Sequence, residues 1–361
     1  MPALNWVKGY TARGDGPTPR TQMAVYSVKG LAERGLISQN GANRLLVNAD
    51  LIDFSFRLIW GEDYATTYEE LPDRIGNVDG YAVFIHGWTG CHAIWEGIPG
   101  LLINRNRKLV SLVVDHNGFG DSPFSDRTPE YDECSPVAAM KVIEGVIELL
   151  AIRRQIGDPR PKTVNFIGHS MGGAALFFID ESRWRLGELT RTAIAPALLL
   201  HDDLGRAFFT TLGFGIGLVG RLTFLEAVER LVSPRVLETL TEGASEAVRA
   251  EHDRIYKATP RSVTARTLAA MGTIKDHPMP RQWTHMQVFL GHRDALVGLI
   301  PMLDLLNELN FDVDQVRVML GTHYLFSIGE AWERVHRQNR DIIVGDILKL
   351  HERALQRQKT G

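Results

Sequence analysis

An α/β fold, a mostly parallel twisted sheet covered by helices on both faces, is predicted by three features of this 361-residue sequence. A continuous apolar run at Tyr81–Ile85 and largely apolar runs at Leu109–Val114, Val164–Ile167 and Met286–Leu290 read as the strands buried on both faces that such a sheet requires. Stretches of helical periodicity separate them, and such alternation implies parallel pairing. The runs end in loops rich in glycine, histidine or aspartate, and in sheets of this kind functional groups gather at the carboxyl ends of the strands.

Taken in order, residues 1 to about 40 are punctuated by Gly14, Gly16, Pro17 and Pro19 and read as an irregular arm with one short helix near Thr21 to Glu33. From Ala42 to Trp60 the apolar residues Leu45, Val47, Leu51, Phe54, Leu58 and Ile59 predict a helix. Tyr64–Tyr68 and the neighbourhood of Ile75 suit short antiparallel strands. The strand at Tyr81 leads into His86-Gly87-Trp88-Thr89-Gly90, and the strand at Leu109 into Asp115-His116-Asn117-Gly118-Phe119-Gly120-Asp121. Ser135 and Pro136 then mark a helix start, and Met140, Ile143, Ile147 and Leu150 form its apolar stripe.

The stretch after Thr163 is the centre of the chain. Its strand runs directly into Gly168-His169-Ser170-Met171-Gly172-Gly173, where an apolar helix begins. A strand-to-helix turn this tight leaves no room for side chains two positions either side of the serine, hence Gly168 and Gly172. It exposes the Ser170 hydroxyl and sets the Met171 N–H at a helix N-terminus, where an oxyanion is favoured. Another short strand follows at Arg191–Ala197. Helix after helix then occupies residues 198 to 282, with no buried strand. The sheet resumes at Met286, ending in Gly291-His292-Arg293-Asp294, and a last strand at Gln315–Leu320 ends in Gly321-Thr322-His323-Tyr324. A helical tail from Ile328 closes the domain.

Composition narrows the function. Forty Lys plus Arg against 43 Asp plus Glu offer no field for nucleic acid. The two cysteines, Cys91 and Cys134, exclude a disulfide framework, and no metal-binding spacing is visible, so neither a metal nor another cofactor is expected. The start lacks a basic segment followed by an apolar run, which makes a cytoplasmic enzyme the default expectation. The apolar run Ala207–Gly220 is closed by Arg221, short of the roughly 20 residues needed to span a bilayer.

The order of these motifs resembles the α/β-hydrolase superfamily over residues 75 to 361. The resemblance implies a core of residues 75–196 and 283–361, a helical cap over 197–282, and an N-terminal extension, 1–74, that is partly helical. It implies Ser170 as nucleophile, Asp294 as acid and His323 as base, in the superfamily's chain order. By chemistry, His323 is the base a serine hydroxyl needs, and Asp294 the carboxylate that holds its tautomer. The backbone N–H groups of Trp88 and Met171 would form the oxyanion hole, with His86 and Gly87 shaping the loop. His169 and His292 read as structural or pocket-lining, since neither follows the last strand. Asp202 and Asp203 are rival acids, disfavoured because Gly-His-Arg-Asp follows a clear strand. Asp115 and Asp121 are expected to order their loop, Asp304 to be solvated, Trp95 to be core and Cys91 to be a packed thiol.

The resemblance implies hydrolysis of carboxylic esters, small-molecule substrates that the cap would admit. The glycine-loosened apolar segment Phe208–Leu218 suits a flap over an apolar pocket for medium-length acyl chains, and equally a tightly packed lid helix. A carbon-carbon bond hydrolase, an acyltransferase and a non-catalytic receptor on the same fold stay open as alternatives. For the N-terminal extension three roles stay open: covering the sheet edge, extending the lid, or forming a homodimer contact.

Overall fold

A computed structural model describes residues 21–61, 78–152, 161–198, 238–274, 277–280 and 283–360. The buried runs form one eight-stranded sheet in the order β1-β2-β4-β3-β5-β6-β7-β8. Its strands are β1 (Thr21–Ser27), β2 (Ser55–Gly61), β3 (Gly80–Ile85), β4 (Leu109–Val114), β5 (Thr163–His169), β6 (Glu188–Ile194), β7 (Met286–Gly291) and β8 (Val316–Met319). All pairings among β3 to β8 are parallel, whereas β1 with β2 and β2 with β4 are antiparallel.

Successive side chains of a strand leave opposite faces, so each strand serves two cores. Tyr81, Val83 and Ile85 of β3 join the larger cluster, and Ala82 and Phe84 the smaller. The helices divide accordingly. Those on the larger cluster include α1 (Val28–Glu33), α2 (Gln39–Asn48), α4 (Pro136–Ile152) and α5 (Met171–Ala175). The smaller cluster packs α3 (Ile98–Arg105) and the C-terminal helix α9 (Glu333–Thr360), through Ile98, Leu102, Ile343 and Ile347. The remaining helices are α6 (Glu246–Ala258), α7 (Arg261–Gly272) and α8 (Leu299–Glu308). Among the described residues no helix is long and apolar enough to cross a membrane.

Two N-terminal expectations need correction. Thr21–Ser27 is a strand, and only Val28–Glu33 is helical. The helix expected over Ala42–Trp60 ends at Asn48, and Ser55–Gly61 is a fully buried strand. Asp50, with φ of 50°, turns the chain, and the Leu51 amide closes the helix end on the Leu46 carbonyl. Beyond the turn the period is two: Phe56, Leu58 and Trp60 face the larger core and Ile59 the smaller. This part of the extension therefore widens the sheet. The strands expected at Tyr64–Tyr68 and near Ile75 lie outside the described residues, as do Asp202, Asp203 and Phe208–Leu218.

Candidate active site

Ser170 follows β5 with φ of 54° and ψ of −116°, a backbone conformation that L-residues rarely adopt. Its amide is held by the Ile194 carbonyl at 2.9 Å, and its own carbonyl receives the Ala174 and Ala197 amides. A Cβ at position 168 would lie 2.3 Å from the Gly172 oxygen, and one at 172 would lie 2.3 Å from the Ile85 oxygen. Both glycines are therefore dictated by close backbone approach. A Cβ on Gly87 would lie 2.9 Å from Ser170 Cβ and 3.3 Å from its Oγ. The loop after β3 thus passes directly beside the serine.

The loops after β7 and β8 bring Asp294 and His323 together. His323 Nδ1 donates to Asp294 Oδ2 at 2.8 Å, and Asp294 Oδ1 accepts the Leu296 and Val297 amides at 3.0 and 2.9 Å. Burial pushes the Asp294 carboxyl up, but the charge and hydrogen bond of His323 and these two amides outweigh it, leaving it below the usual carboxylate range. With its Nδ1–H committed to Asp294, His323 has Nε2 as its remaining ring nitrogen, buried and without a hydrogen-bond partner. In the uncharged ring that atom carries the lone pair a general base would use.

The opposite wall is built from neutral groups. The His116 amide donates to His86 Nε2 at 3.1 Å, so the His86 proton must sit on Nδ1, which donates to the Gly87 carbonyl at 2.7 Å. Burial drives the His86 pKa down to about 4, which keeps the ring neutral. Trp88 is anchored at its far end, its indole Nε1 donating to the Thr264 carbonyl of α7 at 3.0 Å. The Thr89 hydroxyl donates to the Trp88 carbonyl at 2.7 Å. Having no second proton, it must accept from His252 Nδ1, 3.0 Å away on α6. His252 Nε2 is then the acceptor for the Tyr324 hydroxyl. A relay from Tyr324 through His252 and Thr89 thus joins the residue after His323 to the residue after Gly87. None of the three carries a motif that marks it in the sequence. A signal for His252 existed, because it shares a helical stripe with Val248 and Ile255, and all three are buried.

The other singled-out residues are braces or core. His169 donates from Nε2 to the His323 carbonyl at 3.1 Å, and His292 Nδ1 accepts the Gly321 amide at 3.1 Å. Trp95 and Cys91 are fully buried, and burial pushes the Cys91 thiol far above its ordinary range. Asp304 is exposed. Asp115 and Asp121 both bind Arg57 of β2, at 2.8 and 2.7 Å. The ligand atoms of Cys91, His92 and Asp115 lie within 4.8 Å of one another, a spacing that could accommodate a cation. The Asp115 oxygens, however, are already taken by Arg57 and by the amides of His92 and Asp121. Burial alone would raise the Asp115 pKa, but the hydrogen bond from His92 and the charge of Arg57 hold it well down. The cluster orders its loop.

The model of the Alpha/beta hydrolase family matches residues 82–337. The pimeloyl-[acyl-carrier protein] methyl ester esterase of Aeromonas hydrophila is 27% identical over 230 residues, which cover 62% of this chain and 81% of that protein. An esterase from Exiguobacterium antarcticum superposes with a TM-score of 0.54 at 14% identity, over 75% of this chain and 92% of its own. An epoxide hydrolase mutant from Vigna radiata gives the same TM-score at 12% identity, over 83% and 96%. Structural likeness at this level extends to the fold alone, and those two proteins are named for different reactions. The family match spans most of the sheet, the elbow and both loops that carry Asp294 and His323, and on it the chain belongs to the alpha/beta hydrolase family.

Proposed function

We propose that this hydrolase cleaves carboxylic esters through an acyl-enzyme, with Ser170 as nucleophile, His323 as general base and Asp294 as its orienting acid. One observation carries the proposal: His323 is fixed by Asp294 through Nδ1 and keeps Nε2 buried and unpartnered, in a loop at the carboxyl ends of the parallel strands, where the strained Ser170 also lies. In the first half-reaction Ser170 Oγ bonds to the ester carbonyl carbon while its proton passes to His323 Nε2. The oxyanion is received by the Met171 and Trp88 backbone N–H groups. Collapse expels the alkoxide, which takes the proton from His323 and leaves as the alcohol. Water then attacks the acyl-serine, giving its proton to the same histidine, and the acid departs as Ser170 regains a proton.

The relative that is named a methyl ester esterase supports an ester substrate. From the sequence alone we take residues 197–282 as the cap, and its apolar, glycine-bearing segment Phe208–Leu218 favours medium-length acyl chains. The test is a panel of aryl esters of graded acyl length, run with fluorophosphonate labelling on the wild type and on Ser170→Ala. The expected result is a labelled Ser170, a maximum at medium length and turnover reduced by about 10⁴-fold or more in the variant. Near-wild-type turnover in Ser170→Ala would sink the assignment.

A further inference from the structure

β1 closes one edge of the sheet and β8 the other, and among the described residues no strand lies beyond β8. An exposed edge is ordinarily blunted by lysine, proline, a bulge or a covering segment. β8 has neither lysine nor proline, and its one charge, Arg317, is turned to Asp346 of α9 at 2.7 Å. Met319 packs on that same face, in the smaller core. On the opposite face Val316 packs partly on the larger core, while Val318 and Leu320 stand 51% and 61% exposed.

The main chain of this edge is complementary to itself. The Met319 carbonyl accepts the His292 amide at 2.9 Å, on the β7 side, so across the planar peptide the Leu320 N–H points outward. Alternation along the strand turns the main-chain groups of Val316 and Val318 outward too. Some of these groups are occupied: the Val316 N–H donates to the Val313 carbonyl, and the Leu320 carbonyl accepts from Asn339 Nδ2 at 2.8 Å. The Val316 carbonyl, both groups of Val318 and the Leu320 N–H have no partner among the described residues.

An antiparallel copy of the strand, related by a two-fold axis at Val318, sets Val318 against Val318 and Val316 against Leu320. The facing valines then exchange both their hydrogen bonds, and each free Leu320 N–H meets a free Val316 carbonyl. The occupied groups, Val316 N–H and Leu320 carbonyl, fall opposite each other. With the axis at Arg317 or Met319 instead, free groups face occupied ones. Side chains agree with the same register. Val318 meets Val318 and Val316 meets Leu320 on one face, and Arg317 meets Met319 on the other, so no like charges stand opposite.

We infer that β8 is a dimer interface, at which a second copy of this chain pairs antiparallel about Val318 and continues the sheet. Such a contact is isologous and closes at two chains. It lies at the opposite edge from the N-terminal extension and stands or falls without the chemistry at Ser170.

A contact this short is small for an interface, so a dissociation constant of about 1–100 μM is expected. Sedimentation of the full chain across that range should show a monomer–dimer equilibrium. Val318→Lys sets two cations against each other and should weaken it about 10-fold or more, whereas Val25→Lys on the β1 edge should leave it unchanged. Cysteine crosslinking tests the register, because the Cα atoms of a hydrogen-bonded pair lie about 5.5 Å apart, within disulfide reach. Under mild oxidation Val318→Cys should form a disulfide dimer and Leu320→Cys, opposite Val316, should not; the native Cys91 and Cys134 are buried. The inference is overturned by a monomer throughout the range, by a dimer indifferent to Val318→Lys, by a dimer lost on Val25→Lys, or by crosslinking through Leu320→Cys instead of Val318→Cys.

Discussion

The two walls beside Ser170 are built on different physical terms. One is electrostatic: His323 and Asp294 form a buried, charge-assisted pair held by two further amides. The other contains no paired charge. The Gly87-Trp88 backbone is positioned by His86, Thr89 and His252, each neutral and each committed to one tautomer or one rotamer by its neighbours. On the proposed mechanism His323 changes charge during turnover and needs a counter-charge, whereas the Gly87-Trp88 loop only has to stay still. Neutral hydrogen bonds supply that stillness without drawing the oxyanion toward a competing charge.

The sharpest break in the comparison comes from the charged wall. Asp294→Asn should lower kcat by about 10⁴-fold with the fold intact, because the asparagine amide favours the wrong His323 tautomer. Turnover within tenfold of wild type, measured with an aryl ester, would show that the pair is structural. Gly87→Ala comes next. Its Cβ would meet Ser170 Cβ at 2.9 Å, closer than real contacts, so the loop must shift, and kcat should fall about 10²-fold to 10³-fold. Loss of stability without loss of kcat in the folded fraction would contradict this.

His252→Ala and Tyr324→Phe should each lower kcat about 10-fold and leave KM nearly unchanged, since they reach Trp88 only through Thr89. Because the relay is one unit, the double variant should be no worse than either single variant, and a multiplicative loss would break it. The smallest effect is on stability against pH. His86 and His252 are both lowered from 6.5 to about 4, first by burial. A depressed folded pKa means the unfolded chain binds the protons first. Stability is therefore complete above about pH 6.5 and is lost as pH falls toward 4, by about 1.4 kcal/mol per pH unit for each histidine. Asp294 is depressed from 3.8, so its contribution is lost only at still lower pH. Chemical denaturation between pH 7 and 4.5 should show the histidine slope, and His252→Gln should flatten it by about one proton.

Most of the sheet and the elbow were legible because double burial leaves a signature: β3, β4, β5 and β7 are fully buried, largely apolar runs closed by glycine-bearing loops. β2 is just as buried, but Asp50 makes its turn without glycine or proline, and the run from Leu45 to Ile59 satisfies a helical spacing. The antiparallel partner that decides the matter, β4, lies more than 40 residues on. Ser170, Asp294 and His323 could be located because each sits at a strand end. The relay could not, since Thr89 and His252 are 163 positions apart and His252 and Tyr324 are 72 apart, at spacings that carry no periodic signal.

β1 has a consequence for solubility. It occupies the outermost place in the sheet, paired along Thr21–Ser27 with the whole of β2. Without it, β2 would be an edge carrying Phe56, Leu58, Ile59 and Trp60, with unpaired amides along its length, the template on which chains add to one another. Arg57, its one charged residue, is already engaged with Asp115 and Asp121 and could not repel an incoming strand. A chain trimmed at about residue 30 would keep every group at the serine and still be expected to aggregate, so the short N-terminal strand acts as the protein's guard against self-assembly.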